Sequence, residues 1–103
     1  MFKHLSVNEL VQLKARVLDI RDGQSYSSGH IPDAQWVNNE NAAQVFGGLD
    51  KNEPIVVCCY HGNSSQSAAA YLVEQGFVEV YSLDGGFEHW RQTFPEQIST
   101  SQG

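Results

Sequence analysis

IVVCC, residues 55–59, followed by YHGNSSQSAAAYLVEQG, residues 60–76, decides the fold. Five apolar residues without polar alternation are the pattern of a strand covered on both faces. A short polar loop breaks the run. Ala68, Ala69, Leu72 and Val73 then recur at helical spacing, and Gly76 is a natural C-terminal stop.

The pattern repeats on both sides of this unit. Residues 50–54 form a turn, and Ala42, Val45, Phe46 and Leu49 before it share one helical face. Residues 34–37 and 17–20 read as strands. Ser6 with Glu9 is a capping box that opens a helix carrying Val7, Leu10, Val11 and Lys14. Downstream, residues 78–83 read as a strand. Phe87, Trp90 and Phe94 form a last helical stripe that ends near Pro95. Strands alternating with helices imply crossovers, so the expected class is α/β, a mostly parallel sheet with helices on both faces. With 103 residues, no repeat and no Pro-rich linker, residues 1–103 are expected to form one domain. The apolar pattern stops near Gln97, which predicts a frayed tail over residues 97–103.

Composition narrows the function. Six basic against twelve acidic residues give a net charge of −6, which repels phosphate backbones and anionic lipid. Nucleic acid and membrane are therefore not expected partners. No apolar run approaches the roughly 20 residues of a membrane span. The opening MFKHLSVNELV has no unbroken apolar core of a signal peptide, so a cytoplasmic protein is expected. The two cysteines, Cys58 and Cys59, are neighbours and cannot staple distant segments together.

The chemistry concentrates where the central strand ends. In open α/β sheets ligands sit at the carboxyl ends of the strands. The helix after the loop starts near Ser64 or Ser65, so its free amides and the positive end of its dipole point back toward Cys59. Gly62 and Asn63 tolerate left-handed backbone angles, which lets successive N–H groups turn inward as an anion nest. A thiolate placed there has a lowered pKa and is nucleophilic near neutral pH. The competing reading of Cys59 is a small buried hydrophobe. Alternation along the strand sends Cys58 to the opposite face, where core packing is expected. A metal site needs three or four converging ligands, and Cys58, Cys59 and His61 are the only clustered candidates. Neither metal nor cofactor is expected. A cysteine phosphatase or arsenate reductase needs an arginine at the end of the loop to hold anionic oxygens, and Ser64 and Ser65 stand there instead.

Three motifs in order resemble the rhodanese family of sulfurtransferases, over essentially the whole chain. DIRDGQSYSSGHIPDA, residues 19–34, is similar to the N-terminal signature. CYHGNSS, residues 59–65, is similar to the active-site loop and suits the single-domain subgroup. YSLDGGFEHW, residues 81–90, is similar to the C-terminal signature. The resemblance implies a single rhodanese-like domain with a five-stranded sheet whose first strand lies near residues 2–5. It implies Cys59 as the nucleophile, and thiosulfate as donor of a sulfur held on Cys59 as a persulfide. The implied acceptor is cyanide or a thiol, such as a thioredoxin-like dithiol. The backbone amides of Tyr60, His61, Gly62, Asn63, Ser64 and Ser65 are the implied substrate cradle. The Ser64 and Ser65 hydroxyls either bond the persulfide or cap the helix. A persulfide carrier loaded by a protein partner is the alternative, and a non-catalytic module is disfavoured because Cys59 is present.

Other residues carry structural expectations. Asp19 and Arg21 are expected to form an ion pair or turn hydrogen bonds, and His30 to fix the turn before Pro32. Many family members have Glu where this chain has Ser25, which leaves a partner of Arg21 unassigned. His61 either binds sulfonate oxygens or is an exposed loop histidine, and Tyr60 either shapes the pocket mouth or packs on the surface. Gly85 and Gly86 are expected to allow close backbone packing.

Overall fold

The computed structural model describes residues 1–100 of the chain. Five strands, β1 (Lys3–Leu5), β2 (Arg16–Asp19), β3 (Gln35–Trp36), β4 (Ile55–Cys58) and β5 (Val80–Leu83), lie in the order β1-β5-β4-β2-β3. Every pairing between them is parallel. The central place of β4 follows from its sequence, since all four residues are buried and only a strand with neighbours on both sides and layers on both faces can hide them.

Alternation along β4 sorts its side chains. Val56 and Cys58 join Leu5, Val7, Leu10, Val17, Leu83, Phe87 and Trp90 in one core. That core lies under α1 (Val7–Leu10) and α5 (Gly86–Thr93). Ile55 and Val57 join Leu18, Val37, Ala69, Leu72, Phe77 and Val80 in the other, under α3 (Ala42–Gly47) and α4 (Ser64–Glu74). Cys59, one residue on, falls on the α4 side.

Several boundaries depart from the expectations. The capping box at Ser6 and Glu9 forms, but α1 lasts four residues; Val11 is its exposed C-cap and Lys14 lies beyond it. A six-residue helix, α2 (Gly23–Ser28), follows β2, where the sequence pattern predicts none. It buries no residue and so has no apolar stripe, and it is started by the Asp22 carboxylate accepting from the Ser25 amide. Residues 97–99 of the expected frayed tail are tied down, while Thr100 is exposed. Trp90 Nε1 donates to the Gln97 carbonyl at 2.8 Å, His30 and Ser99 exchange two backbone hydrogen bonds of 2.9 Å, and Ile98 packs on the α1/α5 core. Residues 101–103 of that tail lie outside the described residues. Among the described residues no helix is long and apolar enough to cross a membrane.

Candidate active site

The chain leaves β4 at Cys58, turns through residues 59–63 and enters α4 at Ser64. Gly62 makes this turn possible. Its φ is +90°, and a Cβ there would lie 2.9 Å from the Gly85 nitrogen and 3.1 Å from the Leu83 carbonyl. Asn63 does not share the left-handed conformation; at φ −92° it is the N-cap of α4 and gives no side-chain cap.

The loop wraps the Cys59 sulfur. Gly62 and Ser65 donate backbone N–H bonds to Sγ at 3.2 and 3.3 Å. The Ser65 hydroxyl lies 3.3 Å from the same sulfur, where it accepts from a thiol or donates to a thiolate. Burial raises the Cys59 pKa, but the Ser65 hydroxyl and the amides of Ser65, Gly62 and His61 together outweigh it and hold the pKa below its ordinary value. Cys58 is the converse. Burial, reinforced by Asp19, pushes its thiol well up, and its Sγ turns to the Cys59 carbonyl at 3.5 Å. The two sulfurs serve opposite faces, as alternation predicts. Among the described residues no group of three or more His, Cys, Asp or Glu side chains is arranged to hold a metal ion.

The inward N–H groups require the loop carbonyls to point elsewhere. The first turn of α5 supplies donors for them: Phe87 N–H bonds the Cys59 carbonyl at 2.8 Å and Glu88 N–H the Tyr60 carbonyl at 3.1 Å. Gln66 Nε2 holds the Gly62 carbonyl at 2.9 Å. The approach depends on Gly86, where a Cβ would meet the Cys59 and Tyr60 carbonyl oxygens at 2.5 Å and where φ is +61°. Close packing is thus what Gly86 provides. Gly85, at φ +76°, meets the same limit against His89.

The remaining candidates separate. Ser65 is fully buried against the sulfur, whereas Ser64 and Asn63 are exposed. Neither serine caps α4; they are its first two residues, and of their amides the one that donates to the sulfur is Ser65's. The His61 side chain is exposed, and only its backbone N–H serves the sulfur. Tyr60 is exposed at the loop edge, with its hydroxyl 3.1 Å from Ser25 Oγ.

Arg21 takes its unassigned partner from its own strand end. Its guanidinium donates to both Asp19 oxygens, at 2.8 Å in the closest contact, and to the Gly29 carbonyl at 2.6 Å. Its cationic centre stacks 4.2 Å from the Phe87 ring and 5.8 Å from that of Tyr60, which links β2 to α5 and to the loop. His30 Nδ1 meets the Tyr26 carbonyl at 2.7 Å, a structural role.

Sequence reasoning missed Ser82. Its hydroxyl lies 2.7 Å from Ser65 Oγ, and both residues are fully buried. The available signal was a serine inside the otherwise apolar strand VYSL, on the face that looks toward α4.

A parallel α/β sheet with a cysteine ringed by amides at the end of its central strand defines a class of protein. Residues 5–93 match the family described as the rhodanese-like domain, and the chain belongs to that family. Its relatives include two proteins named thiosulfate sulfurtransferase GlpE. The one from Shewanella oneidensis is 57% identical over 88% of this chain and 94% of its own length. That from Pseudomonas fluorescens is 60% identical over 84% of this chain and 79% of its own. The fold matches the crystal structure of a rhodanese-like domain protein from Staphylococcus aureus, with a TM-score of 0.82 at 21% identity over 98% of this chain and all of that one.

Proposed function

We propose that this chain is a thiosulfate sulfurtransferase that carries sulfur as a persulfide on Cys59 and works in the cytoplasm. The observation that carries the reading is the ring of donors around one sulfur: two backbone N–H groups and a hydroxyl within 3.3 Å, at the start of an eleven-residue helix. The names of the relatives supply the substrate class.

The chemistry follows from the donors. The Cys59 thiolate attacks the outer sulfur of thiosulfate. A new S–S bond forms, the old one breaks, and sulfite leaves with the bonding pair. Sulfite is a good leaving group, so no general acid is required. The site must instead hold negative charge first on Sγ and then on the persulfide's outer sulfur. Amides fixed in place before the reaction do this without reorganising. In the second half, cyanide attacks that outer sulfur, thiocyanate leaves, and the Cys59 thiolate returns. A thiol, such as a dithiol of the thioredoxin-like kind, accepts the sulfur in the same way.

A phosphatase reading has little support. Ser65 occupies the place where such an enzyme needs a bidentate arginine, and Arg21 is engaged by Asp19 and Gly29. A persulfide carrier loaded by a protein differs only in its donor.

The test is intact mass after brief thiosulfate exposure, on wild type, Cys59→Ser and Cys58→Ser. The reading expects a gain of one sulfur atom in wild type and Cys58→Ser, none in Cys59→Ser, and loss of the gain with cyanide. Loading only from a protein persulfide would make the chain a carrier instead.

A further inference from the structure

A buried serine hydroxyl inside a strand is costly unless it is bonded, and β5 is otherwise apolar at its buried positions. Ser82 nonetheless stands there, fully buried, with its oxygen 2.7 Å from Ser65 Oγ. Ser65 Oγ in turn lies 3.3 Å from Cys59 Sγ. Strand β5, helix α4 and the loop after β4 thus contribute one atom each to a row that ends on the sulfur.

The row has a direction. Ser65 has a single hydroxyl proton, and it has two places to send it: to the Cys59 sulfur or to Ser82. When Cys59 is a thiol, its S–H points to Ser65, and the Ser65 proton turns to Ser82. When the sulfur is negative, the Ser65 proton must turn to it, and the oxygen is left to accept. Ser82 is then the donor at hand. A donated bond polarises the Ser65 hydroxyl and strengthens its own donation to the anion.

Resting on the reading of Cys59 as the sulfur-carrying nucleophile, we propose that Ser82 is a positioning residue for that reaction, which turns the Ser65 proton toward the Cys59 sulfur whenever that sulfur is negative. Ser82 touches neither sulfur nor substrate, and its whole effect passes through Ser65. The same hydroxyl row serves the resting thiolate and serves it again when an acceptor removes the outer sulfur and the charge returns to Sγ. No proton leaves the site; two hydroxyls rotate.

The test is a cycle of Ser82→Ala, Ser65→Ala and the double variant, each checked for folding by circular dichroism. The readout is the pH midpoint of Cys59 alkylation by iodoacetamide, located by peptide mass. Ser82→Ala should raise the midpoint by about half a pH unit, the size of one neutral hydrogen bond strengthened next to a charge. Ser65→Ala should raise it further, and in that background Ser82→Ala should add nothing. A purely structural serine would lower the melting temperature in both backgrounds and leave the midpoint alone, and that result overturns the proposal. So does a Ser82→Ala shift of equal size with Ser65 absent. If Ser82→Ala does not fold, Ser82→Cys keeps the shape with a weaker donor and should move the midpoint in the same direction; no shift there overturns the proposal as well. Failure of the nucleophile reading is distinguishable, because wild-type Cys59 would then show neither a lowered midpoint nor sulfur loading.

Discussion

Gly86→Ala is the sharpest perturbation of the site, though residue 86 never touches the sulfur. The added methyl would stand 2.5 Å from two carbonyl oxygens, of Cys59 and Tyr60, where ordinary contact begins at 3.4 Å. Loop and helix must therefore separate by about 0.9 Å. Both carbonyls belong to backbone, so no flexible side chain can absorb the movement. Alanine at φ +61° adds conformational strain of about 1–2 kcal/mol. Weakening the Phe87 and Glu88 amide bonds costs about 1 kcal/mol each. The expected loss of stability is about 3–4 kcal/mol, a fall in melting temperature of roughly 12–30 °C. Catalysis should suffer more than stability, because the Gly62 and Ser65 amides are aimed by the carbonyls that α5 holds. A misplacement near 1 Å costs on the order of 100-fold in rate. The assay is the rate of Cys59 sulfur loading from thiosulfate by mass spectrometry, below the variant's melting temperature. Gly47→Ala is the control, since a Cβ there meets nothing within 4 Å and should be neutral or slightly stabilising. Loading at the wild-type rate in a folded Gly86→Ala protein would refute the idea that α5 aims the loop amides.

Other outcomes rest on the thiolate, the buried ion pair and the net charge. The Cys59 pKa is lowered on folding, so sulfur loading should rise with pH and level off below pH 9.0, and the thiolate's contribution to stability, complete above that unfolded value, should disappear as pH falls through the folded one; stopped-flow loading and urea unfolding across pH check both. Arg21→Ala leaves Asp19 buried and unpaired and should cost about 3–5 kcal/mol by urea unfolding, while Cys58→Ser should load as wild type does. With a net charge of −6 and no Lys or Arg in the loop, the apparent affinity for thiosulfate should improve as salt rises from about 0.01 to 0.15 M; tighter binding at low salt would refute this.

How much of this could be seen in the sequence depends on where the signal is stored. The unbroken apolar run of β4 and the helical spacing of Ala69 and Leu72 announce a central strand and its crossover helix, because burial on two faces leaves no other pattern. Strand alternation separates Cys58 from Cys59 correctly. The helix α2 has no such mark, since it rests on a polar cap at Asp22 and its one apolar contact with the core is the partly buried Tyr26. The order of residues 97–99 is not legible because its anchors are mostly backbone, the His30–Ser99 pair and the Gln97 carbonyl, and backbone bonds leave no trace in residue type. Within the loop the string itself marks Cys59 and Gly62. It says nothing about which of two adjacent serines faces inward, and only the phase of α4 sets Ser65 on the sulfur and Ser64 in solvent. Ser82, seventeen residues from Ser65, enters the site through sheet topology, which no local pattern encodes.

The bonds from α5 to the loop have a consequence for motion. Connecting loops commonly open and close on their own, independent of the domain that bears them. Here the Cys59 and Tyr60 carbonyls are held by the first turn of a helix whose Phe87 and Trp90 lie in the main core. Freeing the loop therefore means lifting α5 from the sheet, which exposes that core. The Gly62 and Ser65 amides should exchange with deuterium as slowly as those of β4, on the clock of whole-domain unfolding. The Cys59 sulfur is then held by a loop tied to the core, and an incoming molecule would meet exposed side chains such as Tyr60 and His61 while the backbone stays still.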